Sequence, residues 1–490
     1  MFLGLDLGTT NVKAVLVRPG EGVVGRGWAP VALRHVGEAG VEQDIEDVWQ
    51  ATVTAIADAG RQADVVRVRA VGVSSQGGAL QMLGAEGRPA GPDISWLDGR
   101  ARPWRERVTD ELGVEWLSAH TGHGRLGLAP SQLLRLQEED SAGASLEGHV
   151  GFVGDVIVGR LCGRRAHDAT YLSIAGLLEP RTGRAEPSLL ASLGIAEDRL
   201  PHLLPAHEAA GRLQDPAARE TGLPARIPVS PAVHDQYAAS LGAGAVHAGD
   251  VMLGAGTAWV LLALSEGEPS TIAPVIPAAF ACPHPVAGLC AQMLSMVNGG
   301  SSFRWTVQTL GLEGCTGAEL DRMMESVPAG SDGLRFRPLL APGGGAGLPP
   351  GTPGQLDGLR LSHSPAHILR AVVEGMAMES ARHLEFLRAC DIAVERIALC
   401  GGAAGSSVTA QIVADTAAVP VACVTETAVS ALGAAVLAHA VAEGSGDLAR
   451  LADESAPPAR LVPPGPQEPL YRAAVERYLA SLPRSGPGEA

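Results

Sequence analysis

The first seventeen residues alternate between apolar and small or polar positions, and the alternation is interrupted once. Residues 2–7 carry leucines at every second position, which is the period of a strand with one apolar face. A second alternating run begins at Asn11, after the turn Gly8-Thr9-Thr10. The pattern predicts a β-hairpin whose turn wraps a phosphate with backbone N–H groups and threonine hydroxyls. The alternative is a plain surface hairpin.

Two charged residues flank this turn. Asp6 stands two residues before Gly8, and magnesium prefers one or two carboxylates together with substrate phosphates. We therefore expect Asp6 to bind Mg²⁺, directly or through water. Lys13 is the single lysine of the chain and lies just after the turn, so we assign it to the same phosphate site.

The same pattern returns half a chain later. Residues 250–262 again read as strand, glycine-threonine turn and strand, with Gly256 and Thr257 in the turn and Gly254 where Asp6 stood. Two similar hairpins predict two similar domains with a nucleotide between them. One carboxylate is enough for one metal, and a second would repel phosphate.

The segments between the hairpins predict an α/β fold. Asp44 caps a helix with an apolar stripe, and a buried strand at 70–74 precedes Gln76, Gly77 and Gly78. Residues 94–100 read as a strand that ends in Asp98 and Arg100, and residues 101–228 as mostly helical. Asp235 and Gln236 then follow a strand and open a helix, where a carboxylate caps the helix or faces a ligand. His234 is interpreted as a packing residue.

The second half repeats the strand-turn-helix scheme. Gly300 belongs to a predicted glycine loop that opens a helix, and 342–351 reads as a long loop. A helix over 367–389 and a strand over 397–400 precede Gly401, Gly402 and Ser406, where backbone approaches a nucleotide closely. Further predictions are a helix at 428–443, a proline-rich linker at 457–469 and a final helix at 471–482. The predicted domains are 1–246 and 247–445, with 446–490 as linker and terminal helix.

Composition and charge narrow the classes of protein to which the chain could belong. A chain of 490 residues with 46% hydrophobic positions is long enough for several domains, and its net charge of −16 argues against nucleic-acid binding. The seven cysteines show no metal spacing, which is typical of the reducing cytoplasm. No signal peptide or membrane span is expected.

Four features occur in a fixed order: Asp-x-Gly-Thr-Thr at 6–10, Asp-Gln at 235–236, Gly-x-Gly-Thr at 254–257 and Gly-Gly-Ala at 401–403. In this combination the chain resembles the FGGY family of carbohydrate kinases over roughly residues 1–445. The resemblance implies two actin-like (ribonuclease H-like) α/β domains that close over MgATP and a sugar or polyol, with a homodimer as a compatible assembly.

The resemblance also implies roles for the residues singled out above. Asp235 would be the catalytic base, and Asp6 with Asp235 would hold Mg²⁺. The sugar would contact Gln76, Gly77, Gly78, Trp96, Asp98, Arg100, Asp235 and Gln236. ATP would contact Gly8, Thr9, Thr10, Lys13, Gly256, Thr257, Gly300, Gly401, Gly402 and Ser406.

One loop departs from the family pattern. Xylulokinases usually carry Gly-Gln-Met-His-Gly where this chain has Ser75-Gln76-Gly77-Gly78-Ala79, whereas Trp96-Leu97-Asp98-Gly99-Arg100 closely resembles their Trp-Asn-Asp-Gly-Arg. The Arg-Glu pair of glycerol kinase is also absent. We expect the two glycines to leave space in the sugar site and to make D-xylulose a poorer substrate than some other ketose or polyol.

Several functions fit these features. The leading one is ATP-dependent phosphorylation of a pentulose, and the alternatives within the class are another polyol, a tetritol or a sugar acid. An actin- or Hsp70-like ATPase shares the first hairpin but would not need Asp235-Gln236 or the 96–100 loop. A regulator that has lost catalysis is disfavoured by the intact Asp6 and Asp235.

Overall fold

The computed structural model describes residues 1–139, 148–267, 279–296, 298–340, 347–349 and 351–483. The strands of the N-terminal half are β1 (Phe2–Leu7), β2 (Asn11–Arg18), β3 (Gly22–Pro30), β4 (Arg34–Val36), β5 (Gly40–Gln43), β6 (Val71–Ser75), β7 (Gln81–Leu83), β8 (Asp93–Ile94), β9 (His149–Gly151), β10 (Ala166–His167), β11 (Leu178–Glu179), β12 (Arg184–Ala185), β13 (His202–Leu203), β14 (Gly211–Arg212) and β15 (Pro228–His234). Its helices are α1 (Ile45–Gly60), α2 (Arg102–Leu112), α3 (Val114–Thr121), α4 (Leu128–Glu139), α5 (Val153–Cys162), α6 (Ala169–Ala175), α7 (Pro187–Ser192), α8 (Asp215–Thr221) and α9 (Asp235–Gly242).

The C-terminal half has its own strands and helices. The strands are β16 (Asp250–Ala255), β17 (Trp259–Glu266), β18 (Phe280–Pro283), β19 (Leu289–Met296), β20 (Arg335–Arg337), β21 (Gln355–Asp357), β22 (Arg396–Cys400), β23 (Val421–Val424) and β24 (Arg460–Val462). The helices are α10 (Gly299–Thr309), α11 (Gly317–Glu325), α12 (Pro365–Ala389), α13 (Ser407–Ala417), α14 (Val429–Glu443), α15 (Leu448–Ser455) and α16 (Glu468–Ser481).

The two halves are built on the same sheet plan. In the first sheet β3, β2 and β1 are antiparallel, and β6 and β15 follow in parallel. In the second sheet β19, β17 and β16 are antiparallel, and β22 and β23 follow in parallel. The predicted α/β class with two similar sheet-containing halves is confirmed.

The two halves meet where α9 and α14 cross. Helix α14 packs against α9 and on β1 and β6 of the first sheet. A side chain at Gly433 would begin only 1.7 Å from the carbonyl oxygen of Ala238, and one at Gly242 only 2.0 Å from that of Val429. Glycine at these positions therefore allows the two backbones to touch. The crossing fixes the start of α9, which is Asp235, relative to both sheets.

Most elements that the pattern predicts are found. Asp44 caps α1 by accepting from the backbone N–H of Glu46 at 2.9 Å, and both glycine-threonine turns join antiparallel strands. Asp235 begins α9 directly after β15. Period-two alternation identified these strands because each buries one or both faces against a sheet-covering helix.

Four predictions need correction. Of the predicted 94–100 strand only Ile94 lies in a strand, as the last residue of β8, and residues 95–100 turn away. Residues 101–228 hold short strands as well as helices. Gly299 and Gly300 lie within the first turn of α10 rather than in a loop. Residues 460–462 of the predicted linker form β24, which pairs with β23 and extends the second sheet. Most of the predicted 342–351 loop lies outside the described residues.

Candidate active site

Asp235 lies at the junction of β15 and α9, with its side chain 26% exposed. Its Oδ1 accepts a hydrogen bond from Nε2 of Gln236 at 3.2 Å, and Nε2 of His234 lies 3.1 Å from the same oxygen. Burial raises the pKa of Asp235 to about 6, and the nearby charge of Lys13 opposes that rise. A carboxylate with a pKa close to neutrality is well matched to accept a proton.

Asp6 lies near Asp235 at the end of β1. It is almost fully buried, and its Oδ1 accepts from the hydroxyl of Ser74 at 3.3 Å. Burial and the charge of Asp235 raise the pKa of Asp6 to about 6, while Lys13, its partner across the β1–β2 ladder, lowers it. The first hairpin therefore presents a second carboxylate and the ammonium of the single lysine beside Asp235.

The two carboxylates suit a magnesium ion. Bringing like charges together in a buried position is unfavourable, and a cation between them would relieve the repulsion. Among the described residues no group of three or more His, Cys, Asp or Glu side chains could hold a metal. Mg²⁺ usually takes one or two carboxylates and keeps waters and phosphate oxygens as its remaining ligands, so the chemistry of Asp6 and Asp235 is compatible with this ion.

The start of α9 also touches the second hairpin. A side chain at Gly254 would begin 3.4 Å from Oε1 of Gln236, so Gln236 lies against the strand that leads to Gly256 and Thr257. Both turn residues are exposed. The Asp235–Gln236 pair thus lies between the two glycine-threonine turns.

A cavity of about 820 Å³ opens behind the second turn. Five of the residues predicted to contact ATP line it: Gly256, Thr257, Gly300, Gly402 and Ser406. Its size is within the range of small-molecule and cofactor sites, roughly 300–1,000 Å³. Gly402 has nothing within 4 Å of the position of a side chain, so its backbone faces open space.

Gly401 has a steric reason to be glycine. Its φ is +86°, and a side chain there would begin 2.8 Å from the carbonyl oxygen of Ala255. The left-handed backbone turns the chain from β22 into the cavity wall and brings it against the second hairpin. Gly300 makes a similar close approach, because a side chain there would begin 2.2 Å from the carbonyl oxygen of Gly256.

The sequence pattern missed part of this cavity. Asp321 accepts from the hydroxyl of Ser406 at 2.6 Å and from the backbone N–H of Ser407 at 3.0 Å, so it holds the start of α13. Other lining residues that were not predicted are Phe303, Arg304, Val307, Leu320, Met324, Val373, Met376 and Thr409. They come from α10, α11, α12 and α13, and no local motif marks them.

Gln76 connects the predicted sugar loops to the first phosphate turn. Its Oε1 accepts from the hydroxyl of Thr9 at 2.7 Å, and its Nε2 donates to Oε1 of Gln43 at 2.8 Å. The indole N–H of Trp96 donates to the same threonine hydroxyl at 2.9 Å. Because Gln76 is only 2% exposed, it aligns the turn and the Trp96 ring rather than reaching into open space.

Asp98 and Arg100 are engaged with the protein. The side chain of Asp98 is 0% exposed, and it accepts from the backbone N–H of Val41 at 2.8 Å and from Nε2 of Gln132 at 3.0 Å. Burial alone would raise the pKa of Asp98, but hydrogen bonds from Arg100 and Val41 outweigh it and lower the pKa. Arg100 also pairs with Glu42 at 2.8 Å. These contacts assign Asp98 to holding the loop.

The expectation that Gly77 and Gly78 leave space is wrong. A side chain at Gly77 would begin 2.5 Å from Cγ2 of Ile174 and 2.6 Å from Cδ2 of His234. One at Gly78 would begin 2.8 Å from Cδ1 of Leu128, and the φ of Gly78 is +79°. Side chains from other elements already fill both positions. His234, interpreted from the sequence as a packing residue, lies next to Asp235 as well.

Comparison with known proteins agrees with this arrangement. The profile described as "FGGY family of carbohydrate kinases, N-terminal domain" matches residues 1–242, and its C-terminal-domain counterpart matches residues 252–442. The chain is 28% identical to the xylulose kinase of Escherichia coli (strain K12), covering 99% of this chain and 97% of that protein. It is 26% identical to the gluconokinase of Bacillus subtilis (strain 168), covering 84% of this chain and 82% of that protein.

A solved structure is similar over the whole length. The crystal structure of xylulose kinase from Rhodospirillum rubrum has a TM-score of 0.85 and 27% sequence identity, and the match covers 98% of this chain and 97% of that one. The similarity confirms the fold as two actin-like α/β domains. Among the described residues, no helix is long and apolar enough to cross a membrane.

Proposed function

The chain belongs to the FGGY family of carbohydrate kinases, and we propose that it uses ATP and Mg²⁺ to phosphorylate a hydroxyl of a small ketose, with a pentulose as the first candidate. Asp235 takes the proton of the acceptor hydroxyl as that oxygen attacks the γ-phosphate. A sugar hydroxyl is a poor nucleophile, and a positioned carboxylate is the usual solution in phosphoryl transfer.

One observation carries this proposal: Asp235 lies between two glycine-threonine turns, and a nucleotide-sized cavity opens behind one of them. The first turn supplies Thr9, Thr10 and Lys13 for phosphate oxygens, and the second supplies Gly256 and Thr257. Backbone N–H groups and hydroxyls in such turns bind phosphate without adding negative charge.

Asp6 and Asp235 are the residues that would hold Mg²⁺. When bound, the ion neutralises charge on the phosphates and orients them. The chain's own part is to hold both carboxylates in place, through Ser74 on one side and Gln236 on the other. Closure of the two domains would exclude water, so that ATP is not spent on hydrolysis.

The acceptor is proposed as a pentulose because xylulose kinases are among the relatives that match over nearly the whole chain. Trp96 and Gln236 are proposed to line its site, with Gly77 and Gly78 as backbone contacts and Gln76 holding the Trp96 ring through the hydroxyl of Thr9. The seven cysteines are all free, which supports a reducing compartment such as the cytoplasm.

The experiment is a panel of pentuloses, polyols, tetritols and sugar acids, each tested for acceptor-dependent ADP release with MgATP. We expect one ketose to exceed all non-ketose compounds in kcat/KM. A polyol or a sugar acid as the best acceptor would overturn the ketose assignment. ATPase activity that no acceptor increases would instead favour the actin- or Hsp70-like alternative.

A further inference from the structure

The last described helix, α16, lies outside both segments that match the family profiles, the second of which ends at residue 442. Its residues Tyr471 and Tyr478 are two helical turns apart and therefore lie on one face of the helix. Both tyrosines are buried, and α16 packs against α12 and α13. A buried tyrosine hydroxyl usually has a hydrogen-bond partner, so the partners of these two hydroxyls show what α16 is attached to.

Tyr471 joins a buried ion pair of α12. Its hydroxyl donates to Oε1 of Glu374 at 2.8 Å and accepts from Nη2 of Arg370 at 2.9 Å. Nε of Arg370 donates to the same carboxylate oxygen at 2.9 Å. The carboxylate of Glu374 also accepts from the backbone N–H of Gly330 and from the hydroxyl of Ser331, each at 2.9 Å. Loss of the Tyr471 hydroxyl would therefore take one member out of a closed network of buried polar groups.

Arg370 carries this network to the wall of the cavity proposed for the nucleotide. Its Nη1 donates to the carbonyl oxygen of Met324 at 2.9 Å, near the end of α11, and Met324 lines the cavity. One guanidinium thus links Tyr471 of α16 to a cavity-lining residue of α11. Because the guanidinium is a rigid plane with fixed donor directions, a shift at one of its contacts also changes the others.

Tyr478 makes a second attachment to α12. Its hydroxyl donates at 2.8 Å to Oε2 of Glu379, which also accepts from Nε of Arg382 at 2.9 Å. Val373 and Met376, which line the cavity, lie within the stretch of α12 that the two attachments span. The hydroxyls of α16 therefore hold the part of α12 that forms the cavity wall.

We infer that Tyr471 and Tyr478 are positioning residues for nucleotide binding, and that they act through α11 and α12 on the cavity wall. The inference rests on the proposed function, since that function assigns the cavity to ATP. Among the described residues that line the cavity, none belongs to α16, so an effect of the two hydroxyls on nucleotide affinity passes through the other helices. A wall that is already held in place has less freedom to lose when the nucleotide binds.

The first test separates the hydroxyl from the packing of the ring. Tyr471→Phe keeps the ring and removes only the hydroxyl. We expect the Kd for a non-hydrolysable ATP analogue to rise about two- to thirtyfold, the range for residues that act on a site from a distance, with the acceptor KM close to its parental value. Tyr478→Phe should have a smaller effect, because the link to Met324 runs through Arg370, the partner of Tyr471.

Thr52→Val is the matched control for the loss of a buried hydroxyl. Thr52 is buried, and its hydroxyl donates to the carbonyl oxygen of Val48 at 2.8 Å within α1, in the other half of the chain. We expect this variant to lose stability in thermal unfolding while its Kd for the analogue stays parental. A Tyr471→Phe enzyme that behaves in the same way, with a lower unfolding temperature and a parental Kd, would overturn the positioning role.

The second test measures the same coupling from the side of α16. If docking of α16 favours nucleotide binding, then the bound nucleotide must favour docking of α16 by the same factor. We expect the ATP analogue to slow amide hydrogen exchange over residues 468–481 in the parent, and to slow it less in Tyr471→Phe. Unchanged exchange in this helix at saturating analogue would also overturn the inference.

The binding measurement distinguishes failure of this inference from failure of the proposed function. A parent enzyme that does not bind the ATP analogue would remove the proposed use of ATP and the inference together. A parent that binds the analogue, with Tyr471→Phe and Tyr478→Phe both at the parental Kd, would remove the inference alone.

Discussion

At the scale of single residues, the site depends on carboxylates that burial makes costly to ionise. Burial raises the pKa of Asp6 and of Asp235, and Lys13 partly offsets it in both. Asp98, by contrast, is charged at little cost because Arg100 and two other donors meet its oxygens. The environment thus separates carboxylates that can exchange protons or ligands from one that only holds a loop.

The first prediction concerns Asp235. Asp235→Asn removes the proton acceptor but keeps the shape and an oxygen for Gln236. We expect kcat to fall about 10²- to 10⁴-fold, the usual contribution of a general base, with ATP affinity retained. Single-turnover phosphorylation and equilibrium ATP-analogue binding measure the two quantities. Nearly parental turnover would assign the base to another group.

The second prediction concerns Asp6. Asp6→Asn removes one of the two carboxylates proposed for magnesium while its volume stays the same. The Mg²⁺ concentration needed for half-maximal activity should rise about tenfold or more, since one charged ligand is lost. A Mg²⁺ titration at saturating ATP gives this value directly. An unchanged midpoint would make Asp6 a strand residue without a metal role.

A third prediction concerns Asp93, whose two carboxylate oxygens are buried without partners. Burial and the nearby Asp155 raise its pKa from 3.8 to about 7 in the folded chain. The folded state therefore keeps a proton that the unfolded chain loses near its ordinary pKa. The contribution of Asp93 to the free energy of unfolding therefore falls as the pH rises from 3.8 to about 7, and it stays low above that range.

Asp93→Asn should remove that dependence. We expect the unfolding temperature of the variant to change less than that of the parent between roughly pH 5 and pH 8. These two values lie below and above the raised pKa of Asp93, which is about 7. Asp110→Asn, at an exposed position of α2, is the control. Equal pH dependence in Asp93→Asn and in the parent would show that Asp93 is solvated or paired in solution.

At the scale of elements, the cavity proposed for the nucleotide is built from segments that the sequence pattern indicated to different degrees. The hairpins and Gly402 could be predicted from the sequence, because alternation and glycine turns are patterns of neighbouring residues. Asp321 and Met376 were not visible, since α11 and α12 look like ordinary amphipathic helices and only the packed fold shows which side chains face the cavity. The space at Gly77 and Gly78 was misjudged for the same reason: Ile174 and Leu128 arrive from other helices.

The fourth prediction uses the open space at Gly402. Gly402→Val places a branched side chain into the cavity, where the backbone is proposed to meet the nucleotide. We expect KM for ATP to rise about tenfold or more, with the acceptor KM and the unfolding temperature close to parental values. Gly314→Val is the control, because Gly314 also has nothing within 4 Å but does not line the cavity. A joint loss of stability and of affinity for both substrates would indicate a folding defect instead.

At the scale of the whole molecule, the two halves share one structural junction. Helix α14 belongs to the second half by sequence but packs on the first sheet, where side chains at Gly4 and Gly72 would begin 1.9 and 1.7 Å from backbone oxygens of Ala431 and Ala434. A boundary near residue 246 separates the two sheets. It does not describe α14, which follows that boundary in the sequence but packs on the sheet that precedes it. Because α14 meets β1, β6 and α9 at glycines, a displacement of α14 would be transmitted to α9, which carries Asp235.

The last prediction tests this junction. Gly433→Ala adds a methyl group 1.7 Å from the carbonyl oxygen of Ala238, so α14 has to move away from α9. Overpacking of this kind costs about 1–3 kcal/mol and at a backbone contact more, so the unfolding temperature should fall. We also expect kcat to fall, because the displaced α9 carries the proposed base, whereas nucleotide binding to the separate cavity should change little.

Gly446→Ala is the control, since its nearest neighbour would be 3.5 Å away. A Gly433→Ala enzyme with parental stability and parental kcat would contradict the close crossing of the two helices, and a loss of stability alone would show that the crossing does not control the placement of Asp235.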